Sequence, residues 1–140
     1  MAAITATNVV ATIEERTIEG KKKRNRVKLT ISATQALTYP SSGGIPVFIS
    51  QLPSDGAQAF GKVGMVRNVD YLIPISMPHG PSAGGGILWG YDPSGHAFRG
   101  YFSPPTTHTA ATGFGELPTT WMPSDTNAGG AVFYVEAVGW

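Results

Sequence analysis

The sequence predicts an all-β chain: a single-domain antiparallel β-sandwich of jelly-roll type with long Gly/Pro-rich loops. Seven or eight short segments show strand-like patterning, and turn residues separate them. Gly and Pro contribute 18 and 11 of the 140 residues, and no segment has a convincing helical pattern. Short strands with frequent turns are typical of sandwiches and jelly rolls, and the length fits one domain spanning residues 1–140.

The first two predicted strands lie in the N-terminal quarter of the chain. Residues 10–19 mix Val, Thr and Ile with three glutamates, which favours a strand. Val9, Ile13 and Thr17 would also share one face of a helix, so a helix stays an alternative there. In residues 27–32, apolar and polar side chains alternate, and this period of two predicts a strand with one buried face.

The middle of the chain is predicted to form short strands between loops. A turn cluster at residues 39–44 precedes a short apolar strand at residues 46–50. Residues 53–61 are expected to form a loop or one helical turn. Residues 63–66 begin another β segment, which residues 71–75 continue.

Residues 87–102 predict a β-hairpin rich in aromatic side chains. Residues 92–95, Asp-Pro-Ser-Gly, have the chemistry of a tight turn. With those four residues in the loop, Tyr91 would face His96. One face of the hairpin would then carry Ile87, Trp89, Tyr91 and Phe98.

Residues 103–130 show no regular pattern and are long for a loop in a compact domain. Four apolar side chains, Phe114, Leu117, Trp121 and Met122, lie among Thr, Pro and Gly in this segment. Such anchors can cap the end of a sandwich, or they can dock onto a partner, where Trp and Met are favoured. We therefore keep all four as candidate contact residues.

The C-terminal segment, residues 131–140, predicts a strand whose two faces are both largely apolar. One face would pack in the core. The other carries Tyr134, Val138 and Trp140, which we expect to meet a neighbouring sheet or the second subunit of a homodimer. These three residues are candidate partner contacts.

One basic run stands out in a chain whose charged residues make up only 14% of the sequence. Six positive charges within eight residues repel each other, so we expect them to contribute to association rather than to folding. A solvated hairpin tip and an electrostatic contact with an acidic patch on a protein partner both fit the run. Nucleic-acid binding is disfavoured because no aromatic side chains are interleaved. The run consists of Lys21, Lys22, Lys23, Arg24, Arg26 and Lys28.

The sequence offers little catalytic or metal-binding chemistry. It has no cysteine, and His79, His96 and His108 lack metal-ligand spacing, so they are expected to be solvated loop residues. Asp92, Ser94 and His96 are the residue types of a catalytic triad, but one tight turn cannot bring them together in its geometry. No segment offers the roughly 20 apolar residues of a membrane span. We expect neither an enzyme, a cofactor, a metal nor a membrane partner.

Turn and strand-end motifs between residues 27 and 140 resemble the capsid cement, or decoration, proteins of tailed phages. The resemblance implies a jelly-roll structural protein on the exterior of the virion capsid, made in the host cytoplasm. It implies binding to the major capsid protein, often as a homodimer that bridges neighbouring subunits and stabilises the shell. The motifs are Thr38-Tyr39-Pro40 with Gly43-Gly44-Ile45-Pro46, Gly90-Tyr91-Asp92, Arg99-Gly100-Tyr101, and the closing Ala137-Val138-Gly139.

A different class of function also fits the aromatic residues. In a carbohydrate- or receptor-binding β module of a phage particle, Trp89, Tyr91, Tyr101 or Trp121 could stack on sugar rings. Such a module would expose these side chains over a groove. The aromatic residues of the hairpin are more simply explained as part of the core.

Overall fold

Two antiparallel β-sheets pack against each other in the computed structural model, which describes residues 2–34, 36–48, 60–78, 87–102, 115–126 and 129–140. This architecture confirms the predicted all-β sandwich, whereas the jelly-roll topology stays a prediction. The strands are β1 (Ala2–Ala3), β2 (Val9–Glu19), β3 (Lys22–Ser32), β4 (Leu37–Thr38), β5 (Ile45–Pro46), β6 (Val69–Ser76), β7 (Ile87–Asp92), β8 (Ala97–Phe102), β9 (Gly115–Glu116) and β10 (Gly130–Gly139).

The larger sheet has the strand order β2-β3-β10-β6, and all its neighbours are antiparallel. This sheet forms because its strands have one apolar face. In β3, apolar and polar residues alternate, which puts Val27, Leu29 and Ile31 on a fully buried face. The C-terminal strand β10 lies in the centre of the sheet, although it is last in the sequence. Its inner face carries Ala131, Phe133, Val135 and Ala137, which are all buried.

The smaller sheet has the order β5-β8-β7, with β9 also paired to β8. Short β1 and β4 form a separate parallel pair. The sheets meet where Phe133 of β10 contacts Trp89 of β7 and Phe98 of β8, with ring centroids 4.9 and 5.3 Å apart. Burial of each such aromatic side chain contributes about 1.5–3 kcal/mol, so this contact holds the sheets together.

The N-terminal predictions are largely confirmed. Residues 10–19 form a strand, so the helical alternative is wrong. The strand predicted at residues 27–32 begins earlier, at Lys22, because β3 pairs with β2 along the whole hairpin. The strand predicted at residues 46–50 is shorter than expected: β5 ends at Pro46, Val47 and Phe48 are buried outside it, and residues 49–50 lie outside the described part.

The β segment predicted at residues 63–66 is wrong. Gly61–Val63 forms a 3-10 turn, which ends at Gly64 with a left-handed backbone angle φ of +80°. Glycine adopts that conformation without steric cost, so the chain reverses before β6 begins at Val69.

The hairpin of β7 and β8 forms with a register two residues away from the predicted one. Tyr91 pairs with Phe98 rather than with His96. Asp92 still belongs to β7 and pairs with Ala97, so the turn spans residues 93–96, and His96 lies in it with a left-handed φ of 47°. The Asp92 carboxylate accepts hydrogen bonds from the backbone N–H groups of Ser94 and Gly95 and so stabilises this turn. A register change of two residues leaves each side chain on the same face of the hairpin. Trp89, Tyr91 and Phe98 therefore share one face, as predicted, and all three are buried.

The segment at residues 103–130 is more regular than predicted in its described parts. Gly115–Glu116 is strand β9, Pro123–Asp125 is a 3-10 turn, and Gly130 already belongs to β10. Residues 103–114 and 127–128 lie outside the described part. The pairing of β9 with β8 could not be predicted from the sequence, because a strand of two residues is too short to show a periodic pattern.

Two core tryptophans provide a matched test of this packing. Nε1 of Trp89 donates a 2.9 Å hydrogen bond to the Pro78 carbonyl, whereas the buried Nε1 of Trp121 has no hydrogen-bond partner among the described residues. We expect Trp89→Phe to lower the free energy of unfolding by about 1–3 kcal/mol more than Trp121→Phe, because only the first change leaves a buried carbonyl unpaired. Chemical denaturation of both variants measures this, and equal losses would contradict it.

Candidate interaction surfaces

The basic run lies mainly on strand β3 and not at a solvated hairpin tip. Only Lys21, with Gly20, occupies the turn between β2 and β3. Strand alternation sends Lys22, Arg24 and Arg26 to the outer face of the larger sheet, together with Lys28. Asn25, between them, points inward, is buried, and donates a 2.9 Å hydrogen bond to the Val63 carbonyl.

Carboxylates from neighbouring strands pair with three of these cations. The Arg24 guanidinium donates to Glu136 of β10 at 2.7 Å and to Glu19 of β2 at 3.1 Å. Two further ion pairs join Arg26 to Glu15 and Lys22 to Asp70. The sheet thus places carboxylates of other strands beside three of the six cations, so mutual repulsion is relieved for those three. The expected contribution of the run to association stays a prediction. Solvent screens these exposed pairs, so each contributes little to the stability of the fold.

Two cations of the run lie over aromatic rings. Nζ of Lys28 is 5.9 Å from the ring centre of Tyr134, and Nζ of Lys22 is 5.7 Å from that of Trp140. Such contacts contribute about 0.5–1 kcal/mol at exposed sites. They partly cover the second face of β10 with side chains of the same chain.

The second face of β10 lies on the outer surface of the larger sheet. Val138 is buried there, Tyr134 is half-buried, and Trp140 remains 37% exposed. Within the described residues, neighbouring side chains rather than another sheet flank this face. Its contact with a second subunit stays a prediction.

The apolar anchors of the long segment pack inward. Leu117 and Trp121 are both buried, so the expectation that they dock onto a partner is wrong. The Leu117 N–H donates to the Gly100 carbonyl at 2.8 Å, and a side chain at Gly100 would collide with Leu117. Met122 is half-buried beside them, and Phe114 lies outside the described residues.

Trp121 also holds the backbone of Tyr39, whose hydroxyl joins two strands of the smaller sheet. Its carbonyl accepts a 2.9 Å hydrogen bond from the Tyr39 N–H. The Tyr39 hydroxyl donates to Glu116 at 2.7 Å and accepts from the Gly100 N–H at 3.2 Å. Burial, and then the Glu116 carboxylate, raise the pKa of Tyr39. The tyrosine therefore serves as a neutral crosslink between strands.

The turn between β7 and β8 does not form a triad. The Ser94 hydroxyl donates to Asp92 at 2.7 Å, while Nδ1 of His96 is 2.6 Å from the Tyr91 hydroxyl. His96 packs against two aromatic rings, those of Phe48 and Phe60, so the expected solvated loop histidine is wrong at this position. Burial lowers the pKa of His96. His79 and His108 lie outside the described residues.

Among the described residues, no three His, Asp or Glu side chains lie close enough together to hold a metal ion. No helix in those ranges is long and apolar enough to cross a membrane.

Comparison with known proteins gives no relative for this chain. No protein-family model matches it, and no curated protein or solved structure is similar to it.

The Asp92 turn predicts a pH dependence of stability. Hydrogen bonds from the Ser94 hydroxyl and from the Gly95 and Ser94 backbone lower the pKa of Asp92 from 3.8 to about 2. Because the folded-state pKa is depressed, this stabilisation is present above about pH 3.8 and is lost as the pH falls towards 2. The thermal midpoint of the Asp92→Asn variant should therefore fall less than that of the parent protein between pH 3.8 and pH 2.

Ser94→Ala serves as the intermediate case, because it removes the hydroxyl but leaves the backbone donors. Its thermal midpoint should fall with acid less steeply than in the parent protein and more steeply than in Asp92→Asn. Thermal melts followed by circular dichroism measure all three proteins. Identical acid slopes would show that the Asp92 bonds do not stabilise the fold.

Proposed function

We propose that this chain is a virion structural protein that binds the outer surface of an icosahedral capsid and stabilises it by bridging major capsid protein subunits. The observation that supports this proposal is the pair of open edges of the larger sheet. Within the described residues, no strand pairs with the outer edge of β2 or of β6. Open edges present unpaired backbone groups, which are typical sites for strand pairing with another chain.

The edge strands also expose apolar side chains. On β2, Val10 and Ile18 are 61% and 72% exposed, and on β6 Ile73 and Ile75 are exposed as well. A free monomer with long apolar edges tends to associate. A capsid surface would cover such edges, and its repeated subunits would let several weak contacts act together.

The proposal also draws on the motif resemblance to tailed-phage cement proteins and on the low charge content of 14%. Several of the motif residues have structural roles in this fold. Gly44 has a left-handed φ of +76° beside Phe98, and Gly100 leaves room for Leu117. A homodimer that bridges neighbouring capsid subunits belongs to the same proposal, with the exposed side of β10 as one candidate contact.

The carbohydrate-binding alternative receives less support. Trp89, Tyr91 and Trp121 are buried in the core and cannot stack on a sugar ring. Tyr101 is half-buried. The aromatic platform that suggested a sugar site is thus largely used for packing the two sheets.

Co-sedimentation with empty capsid shells tests the capsid proposal. Purified protein should sediment saturably with shells of the phage that encodes it, and it should raise their melting temperature. Replacing Val10 and Ile18 with Lys should weaken this binding by roughly tenfold, because lysines on an edge strand oppose pairing.

Leu88→Lys is the matched control, since Leu88 is 62% exposed but lies on β7 of the smaller sheet. It should bind shells within about twofold of the parent protein if β2 is the contact edge. Absence of saturable sedimentation of the parent protein would refute the capsid role. Equal losses in both variants would refute the assignment of the contact to β2.

A further inference from the structure

A shallow depression lies at one end of the larger sheet, beside the turn between β2 and β3. It has a volume of about 370 Å³ and is lined by Lys21, Val66, Arg67 and Trp140. They come from three distant parts of the sequence, since only Val66 and Arg67 are adjacent, and the fold brings them together at the end of β10. The depression is distinct from the edge of β2 described above.

The backbone of this depression is held in place by hydrogen bonds. The Trp140 carbonyl accepts from the N–H groups of Val66 and Arg67 at 2.7 and 3.1 Å. The Trp140 N–H donates to the Asn68 carbonyl at 3.1 Å. These bonds involve only main-chain atoms. The side chains of Val66, Arg67 and Trp140 are therefore not needed to form them.

The apolar part of the depression is open to solvent. Val66 is 53% exposed and Trp140 is 37% exposed. A tryptophan can bury roughly 150–250 Å² and is a favoured anchor at protein interfaces. Lys22 lies over the Trp140 ring, but its ammonium group is already paired with Asp70 at 3.0 Å.

The charged part of the depression is not neutralised. Within the described residues, no carboxylate lies within ion-pair distance of Lys21 or Arg67. By contrast, Lys22, Arg24 and Arg26 each have a carboxylate partner. Three cations of the outer sheet face are therefore paired with carboxylates, whereas the two cations beside Trp140 are not.

We propose that this depression binds an acidic segment of a protein partner that also carries an apolar side chain. The apolar side chain would contact Trp140 and Val66, and carboxylates of the segment would pair with Lys21 and Arg67. Charge complementarity identifies the partner, because the site combines two unpaired cations with an exposed aromatic ring.

A nucleic acid fits this site less well than an acidic protein segment. A phosphate backbone needs a continuous row of cations. Here the neighbouring outer face carries Glu19, Glu136 and Asp70, whose carboxylates are interleaved with the cations. At the depression itself, only two cations, Lys21 and Arg67, are available to a phosphate backbone. The proposal applies to any acidic protein partner and does not require the capsid role.

Two-dimensional NMR of the full ¹⁵N-labelled chain tests the proposal. The probe is a short capped peptide that alternates Glu with Leu, and the control peptide replaces each Glu with Gln. The chain has three tryptophans, and Trp89 and Trp121 are buried, so their indole signals serve as internal references. Of the three indole signals, the Glu peptide should shift only that of Trp140. Added salt should weaken the binding of this peptide.

Matched variants separate a local site from general electrostatic attraction. The double variant Lys21→Gln with Arg67→Gln should weaken binding of the Glu peptide by roughly fivefold to tenfold. Arg24→Gln with Arg26→Gln removes the same charge from cations that have carboxylate partners, and it should change the affinity by less than about twofold. Val66→Ser should weaken binding without shifting the signals of the two buried indoles.

Several outcomes would overturn the proposal. It fails if the Glu peptide leaves the Trp140 signal unchanged, or if the Gln peptide binds equally well. It also fails if the two double variants lose affinity equally. A single-stranded oligonucleotide of matched charge that shifts Trp140 at lower concentration than the peptide would assign the site to nucleic acid instead. None of these outcomes depends on whether the chain sediments with capsid shells.

Discussion

Phe133 is the residue at which the two sheets of this protein meet. Its ring lies against Trp89 of β7 and Phe98 of β8, while its strand, β10, pairs on both edges within the larger sheet. Truncation of such a buried aromatic side chain typically costs about 3–5 kcal/mol, a large part of the stability of a small domain. The position of every outer surface depends on this contact, because β10 sets the places of both β3 and β6.

The outer face of the larger sheet follows from strand alternation. With Val27, Leu29 and Ile31 committed to the core, the intervening cations must face outward. Beside them the sheet places acidic residues from β2, β6 and β10. The result is a surface with little net charge along most of its length. Positive charge remains unpaired near the turn between β2 and β3, where Lys21 and Arg67 flank Trp140.

The distribution of aromatic residues separates packing from recognition. Trp89, Tyr91 and Trp121 are buried in the core. The smaller sheet therefore offers few exposed aromatic rings for a ligand. Trp140 is the tryptophan left exposed in the described part of the chain. Open strand edges and this one aromatic depression are therefore the features most suited to contact other proteins, and both fit a chain that works within an assembly.

The sequence by itself determined the fold class, the alternating strand at residues 27–32 and the faces of the aromatic hairpin, whereas it left a helix open at residues 10–19. These depend on local periodicity, which survives even a two-residue change of register because side chains alternate with period two. Tertiary structure alone decided that Leu117 and Trp121 pack inward, since an irregular segment has no period that reveals its buried side. It also decided which cations are neutralised: Arg24 meets Glu136 only because β3 and β10 are neighbours, across a separation of 112 residues. Long-range strand pairing is set by the packing of the whole core, and no local pattern in the sequence contains it.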